Sequence, residues 1–510
     1  MKLFKNLLAG ALIALSTLAF APAVSAQTAP APAVVQTTPA KFDGYKLYKE
    51  AFEAWRDMHI KLDTPEAVEK WAKEWEHKFD KTGDLDSEEG TDKALLKMAQ
   101  SFGQRFDYSF DKKATSAEAD QVRSTLFGIG ATLSLTKQAE IVKSQAFQDI
   151  KKMPKDQQLA EIQKQLAISA ENQLKIEEAI EGSPAEKAGL KSGDIILKVD
   201  GEDLVGKSQT EAITKIKGDI NTTVKLTILR DGKEQVVPVT RAEVKVPVVK
   251  FKSDKEIGIP GVSYFRLNDF MSKNAVPEFH AALKKAAAGK AVIIDLRGNP
   301  GGVLPYVLTM SGMILEDGPL LITKSRVGDR IVESEISLNK NFVLRTEPSE
   351  QDPSQIEVST GPRPKLVIPT DMPVIVLVDE GSASASEILS GALQHNKRAV
   401  VVGMPTHGKG VGQTVIQLSF GRSLHVTSFE FIPGRTPNDW TGVIPDHIVE
   451  RGSDAKVDLQ LEKAKELIGP MIKTAEEMKV KRDENRKKHE DEFKKELERR
   501  ANGGSNEELE

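Results

Sequence analysis

Three serines alternate with alanines in Gly381-Ser382-Ala383-Ser384-Ala385-Ser386-Glu387, between a buried-strand pattern ending at Val378 and a helix expected near Ser386. A serine on such a turn is exposed at a strand end, and the backbone N–H groups of the following turn point toward it. That arrangement lets a hydroxyl nucleophile and oxyanion donors coexist. Serines at helix starts also act as plain caps, so the turn alone leaves both roles open. A hydroxyl needs a base, and Gly408-Lys409-Gly410 sets a lysine between two glycines just beyond an apolar strand. If desolvated, such a lysine has a pKa closer to neutrality, and the neutral amine can accept a serine proton. A phosphate loop is excluded, because that pattern needs Ser or Thr after Gly-Lys, and here Gly410 follows. A third loop, Asp295-Leu296-Arg297-Gly298-Asn299-Pro300-Gly301-Gly302, fits an oxyanion element. Pro300 fixes the backbone there, and the paired glycines let N–H groups approach a carbonyl. Asp295 and Arg297 read as a structural ion pair, since one carboxylate without a partner explains no acid–base hydrolysis.

Each loop must sit at the end of a strand. AVIIDLRGNPGG, PVIVLVDEGSAS and RAVVVGMPTHGKG are three buried-strand runs followed by glycine-rich turns, an α/β pattern over about 246–452. Open α/β sheets of parallel strands place ligands at the carboxyl ends. Residues 41–123 are helical, with Thr64-Pro65-Glu66 reading as an N-cap and an N1 proline, and nothing there looks chemical. They are expected to form a small domain packed on its neighbour. Residues 124–245 mix short β runs with turns and a helix over 208–218, and two amphipathic helices are expected at 138–151 and 155–173. Residues 453–510 form a charged helix and tail, with acidic residues interleaved among the basic ones.

The amino terminus reads as an address. Lys2 and Lys5 precede an apolar run from Leu7 to about Phe20, and Val24-Ser25-Ala26 supplies small residues before a cut after Ala26. Residues 27–40, rich in Pro, Ala and Thr, form a linker. Removing residues 1–26 shifts the formal net charge from −4 to −6, against a nucleic-acid partner. The chain has no cysteine, which excludes thiol nucleophiles, thiolate metal sites and lipidated cysteines. Its eight histidines show no HExxH pairing, and no metal or organic cofactor is expected.

The ordered set DLRGNPGG, GSASASEI with GALQHNKRAVVVG, THGKGVGQT and PGRTPNDWTGVIPDHIVE resembles the carboxyl-terminal processing peptidases, or tail-specific proteases, from about Gly128 to Val449 apart from one insertion. The resemblance implies a multi-domain α/β chain, with a crotonase-like ββα-superhelix protease core, a PDZ-like domain and flanking helical segments. It implies Ser384 as nucleophile, Lys409 as base and Gln413 as the residue orienting that lysine. It also implies oxyanion donors on the backbone of Gly301, Gly302 and Ala385. No local argument from sequence separates Ser384 from Ser382 and Ser386. The residue before the GKG loop is usually aromatic in the family and here is His407, which opens a competing reading with His407 or His395 as base.

Leu126-Phe127-Gly128-Ile129-Gly130 resembles the carboxylate-binding loop of a PDZ domain, with helix 208–218 as the opposite wall of the groove. The segment of about 137–172 departs from that domain and is expected to dock a partner, cover the groove or contact the amino-terminal helices. The expected partners are polypeptides with accessible carboxyl termini, with an adaptor as a regulatory partner and pairing between copies through the terminal helices. Export to the periplasm follows from the leader. The alternative is a non-catalytic binding protein that keeps the fold as a scaffold.

Overall fold

The computed structural model describes residues 41–501, apart from 104–105, 111–113, 116–124, 138–139, 142–143, 151–152, 154–160, 162–163, 329, 350–351, 353, 436–439 and 453–456. The leader and linker expected over 1–40 lie outside these residues, as does most of 151–163. The chain divides into two compact units, one of Ala119–Pro247 and one of everything before and after it.

Helices α1 (Gly44–Met58), α2 (Pro65–Trp75) and α3 (Glu88–Gln100) begin at side-chain caps from Asp43, Thr64 and Ser87. In each, a short oxygen accepts an otherwise orphaned first-turn N–H. Strand β1 (Tyr108–Phe110) comes next.

The Ala119–Pro247 unit contains β2 (Thr125–Gly128), β3 (Ala131–Leu135), α4 (Gln145–Ile150), β4 (Leu174–Ala179), β5 (Ile195–Val199), β6 (Glu202–Asp203), α5 (Gln209–Ile216), β7 (Thr223–Arg230), β8 (Lys233–Thr240) and β9 (Ala242–Lys245). β3, β4, β5, β7 and β8 lie in that order in one antiparallel sheet, and β2 pairs β9. Leu174, Ile176, Ile196, Leu226 and Ile228 face its core. Thr136 N donates to Gln173 O at 3.0 Å, so the ends of the 137–172 segment meet at the close of the β3–β4 pair. Of the two helices expected in that segment, the first is found as α4 over Gln145–Ile150. The second, expected over 155–173, falls largely outside the described residues and does not extend over 167–173, which are not helical.

The remainder carries β10 (Val249–Lys252), β11 (Val262–Leu267), α6 (Ala275–Ala286), β12 (Ala291–Asp295), α7 (Leu304–Gly312), β13 (Gly318–Val327), β14 (Arg330–Leu338), β15 (Phe342–Pro348), β16 (Ile356–Pro362), β17 (Val374–Val378), α8 (Ala385–His395), β18 (Val400–Gly403), β19 (Val411–Leu418), β20 (Arg422–Pro433), β21 (His447–Ile448) and α9 (Leu459–Ala501). One sheet runs β10-β11-β12-β17-β18-β21, parallel from β11 onward. Alternation along its strands feeds two cores, as a strand buried on both faces requires. Val292, Ile294, Val374 and Val376 join one core, while Ile293, Ile375 and Leu377 join a second that is closed by Ala464 and Ile468 of α9.

A second sheet joins β1, β20, β13, β14, β15 and β16, with β19 also on β20. Here the amino-terminal helices do more than lie on a neighbour. Leu47, Trp55, Leu95 and Met98 share one core with Leu418, Leu424 and Val426. Buried Arg422 pairs with Asp92 and Glu88 of α3, each at 2.9 Å. Among the described residues no helix is long and apolar enough to cross a membrane.

Candidate active site

The three glycine-rich loops leave the carboxyl ends of β12, β17 and β18, which are adjacent and parallel. Asp379, fully buried, binds two of these loops by accepting the Gly298 N–H at 2.8 Å and the Gly381 N–H at 2.9 Å. Arg297 reaches Asp295 at 2.7 Å and Asp458 at the start of α9 at 2.7 Å, and Tyr264 donates to Asp295 at 2.6 Å. Burial opposes the charge on Arg297, but the bonds to Asp458 and Asp295 carry its pKa further up. Asp295 and Arg297 are therefore a structural pair anchoring the first loop and α9.

The structure separates the three serines by their partners. Ser382 is fully buried, donates to Leu296 O at 2.8 Å and accepts from Asp379 N. Ser386 is equally buried and donates to Asn299 O at 2.9 Å. Ser384 is only half-buried, and its backbone, at φ 54° and ψ −113°, lies in a region that non-glycine residues rarely occupy. Such strain costs of order 1–3 kcal/mol and persists only where surroundings over-determine it. Here they do so through Asn299 O, which accepts Ala383 N–H, and Glu387, which accepts Ser384 N–H at 2.7 Å.

Glu387, a residue with no role in the expected dyad, is the hub. Its buried carboxylate takes Ser384 N–H and Lys409 N–H (3.0 Å) on Oε2, and the Thr406 hydroxyl (2.7 Å) and Gly408 N–H (2.6 Å) on Oε1. One oxygen thus fixes the backbone of Ser384 against that of Lys409. Burial pushes the Glu387 carboxyl above the usual range, against four hydrogen bonds that favour its anion. The signal in sequence is its place three residues after Ser384, at a helix start, which is a capping-box position.

Lys409 Nζ donates to Gln413 Oε1 at 2.8 Å, and Gln413 Nε2 lies 3.4 Å from Thr427 Oγ1. The register of β19 against β20 slips between Gly412 and Gln413, a bulge of the kind that re-aims a side chain. His407 is exposed and gives its backbone N–H to Ser382 O. His395 ends α8, eleven residues long, so about 15 Å of helix separates it from Ser384.

Of the three expected oxyanion donors, Gly301 already gives its N–H to Asn299 Oδ1 at 2.9 Å. The N–H groups of Gly302 and Ala385 have no acceptor among the described residues. Gly301 sits at φ +96°, and a Cβ there would come within 2.8 Å of Ser384 Cβ and Ala385 N. Gly301→Ala is therefore expected to displace the Ser384 turn with the Ala385 N–H and lower hydrolysis by about 10²–10³-fold, the scale of a lost oxyanion donor, as steady-state rates would register.

In the other unit, Leu126, Phe127 and Gly128 belong to β2, paired with β9, and Ile129–Gly130 turn into β3. A Cβ on Gly130 (φ +73°) would lie 2.5 Å from Ser183 Cβ. Opposite β3, α5 begins with a capping box from Ser208 and Glu211, and Gln209 Nε2 reaches Leu133 O at 3.2 Å. Gln209→Ala frees a carbonyl of the β3 edge, and titration with a labelled peptide carboxyl terminus is expected to show a changed affinity.

Residues 261–449 match the model of peptidase family S41, and residues 175–230 match a PDZ domain. The carboxy-terminal-processing protease of Bartonella bacilliformis is 31% identical over 296 residues, 56% of this chain and 61% of that protein. The carboxyl-terminal-processing protease of Synechocystis sp. is 35% identical over 285 residues, 55% of this chain and 60% of that protein. The matched stretch thus spans about three-fifths of those relatives' own length. Among solved structures, the photosystem II D1 C-terminal processing protease resembles the chain at 22% identity and a TM-score of 0.43, over 81% of this chain and 95% of that one. The chain thus carries an S41 peptidase domain over 261–449 and a PDZ domain over 175–230, and over that stretch it is similar to the carboxyl-terminal-processing proteases.

Proposed function

We propose that this chain is an exported serine endopeptidase that captures protein carboxyl-terminal tails in its PDZ groove and cleaves them with a Ser384–Lys409 dyad. The observation that carries the reading is the Glu387 carboxylate, which holds the backbone of both residues on one oxygen while Ser382 and Ser386 are consumed by structural bonds. In the forward step Ser384 Oγ attacks the scissile carbonyl carbon and its proton passes to neutral Lys409 Nζ. Gly302 and Ala385 N–H groups receive the developing oxyanion. Collapse breaks the C–N bond, and the leaving amine takes the proton back from the Lys409 ammonium. Water, deprotonated by Lys409, then hydrolyses the ester and restores Ser384. Gln413 keeps Lys409 oriented throughout.

The relatives' names and the PDZ match support polypeptide tails as substrates, and the positive, apolar and small-residue run of 1–26 supports export to the periplasm. The test is mass spectrometry of proteins ending in accessible tails, incubated with the mature chain or with Ser384→Ala. New carboxyl termini made only by the unaltered chain support the reading. A serine-reactive probe that leaves Ser384 unlabelled, with no cleavage, returns the chain to the scaffold alternative. Control by an adaptor through the 137–172 segment belongs to the same proposal. Deleting 138–172 is then expected to change hydrolysis or partner binding, and the control idea fails if neither moves. Pairing of copies through the terminal helices is read by light scattering.

A further inference from the structure

Lys409 meets a residue from near the other end of the chain. Its Nζ lies 4.7 Å from the centroid of the Phe106 ring while donating to Gln413 Oε1. Phe106 is held in place by Asp107 and β1, its immediate successors in the chain. Asp107, buried, accepts the Thr427 N–H at 2.8 Å and faces His59 Nε2 at 3.0 Å, and Tyr108–Phe110 pair with Ser423–His425 of β20. The hydroxyl of the same Thr427 stands opposite Gln413 Nε2. One short segment therefore sets both the ring against the ammonium and the strand against which the lysine's orienter rests.

A cation near an aromatic face is drawn to the ring's negative centre, and more strongly where water is thin. A lysine stem has four rotatable carbons and wanders unless something holds its tip. We propose that Phe106 is a positioning residue for Lys409, one wall of the base's site supplied by the amino-terminal layer. This rests on Lys409 being the base. Among the described residues, the charged or titratable groups near the amine's segment include Glu387 of α8 on its backbone N–H, His407 two residues before it, Glu430 of β20 opposite Val411, and Asp107 with His59 beyond Phe106. Because the ring favours the ammonium, losing it makes the amine easier to deprotonate.

Phe106→Leu keeps apolar bulk and loses the ring, while Phe106→Trp keeps a π face. Both are compared with the unaltered chain on a peptide substrate across pH, with melting curves to verify folding. In Phe106→Leu, kcat is expected to fall about five- to twentyfold with KM within about twofold, and the acid limb of kcat/KM to move about half a unit or more to lower pH. Phe106→Trp is expected to recover most of the turnover. A leucine variant with unaltered kcat and acid limb overturns the proposal. An equal loss in both variants at every pH marks packing alone and also overturns it; Phe106→Met replaces the leucine variant if that one does not fold. Activity retained by Lys409→Ala would instead sink the dyad, a separate outcome read on a separate variant.

Discussion

Lys409→Ala is expected to slow peptide-bond hydrolysis by about 10²–10⁴-fold, the range for removal of a positioned general base. The alanine leaves Ser384 in its strained turn, because Glu387 binds the backbone at position 409 and not its side chain. Loss should therefore appear in kcat, with KM little changed and the melting temperature close to that of the unaltered chain. His407→Ala is the control. That side chain is exposed and its backbone N–H, kept in alanine, is what holds the loop to Ser382 O. Its turnover should stay far above that of Lys409→Ala, since the bonds that Glu387 makes to Ser384 and Lys409 are untouched. Full activity in Lys409→Ala alongside a dead His407→Ala would reverse the assignment.

Glu387→Ala is expected to be the most damaging single change. Four donors would lose their acceptor at once: the N–H groups of Ser384, Gly408 and Lys409 and the Thr406 hydroxyl. Each buried unsatisfied donor costs about 1–3 kcal/mol, so the sum rivals the net stability of a domain, about 5–15 kcal/mol. The variant should be insoluble or melt far below the unaltered chain. Glu387→Gln is the finer probe. Its shape is preserved, but its amide brings two donors into a cluster of donors, so the fold should survive with turnover reduced about a hundredfold, measured by calorimetry and steady-state kinetics. Acid has a similar effect. Burial raises the Glu387 pKa, so its protonation, which turns an acceptor into a donor, sets in at a higher pH than for an exposed glutamate. This is a step separate from the limb set by Lys409: in Glu387→Gln the acid loss of turnover that arises at position 387 should disappear while the Lys409 limb remains.

Much of the site was legible because glycines frame it. DLRGNPGG, GSASAS and GKG each mark a strand end, and the three strands prove adjacent and parallel. The choice among three serines was not legible, because Leu296 O and Asn299 O, which consume Ser382 and Ser386, lie more than eighty residues away in the chain. The Gly301 N–H looked available until Asn299 folded its own side chain back onto it, a rotamer choice that spacing cannot express. The amino-terminal helices were visible from their caps and apolar spacing. Their share in the site was not, since the partner of Phe106 sits some three hundred residues downstream.

The pairing of Tyr108–Phe110 with Ser423–His425 also has a kinetic side. Contacts this distant in sequence close a very long loop, and the chain entropy of closure makes such pairings late events in folding. Asp107 can meet His59 early, but its bond to Thr427 and the Phe106–Lys409 contact must wait for the far end of the chain. The amino-terminal helices therefore complete their core only once Leu418, Leu424 and Val426 join it, and the base gains its aromatic wall only when β20 is in place.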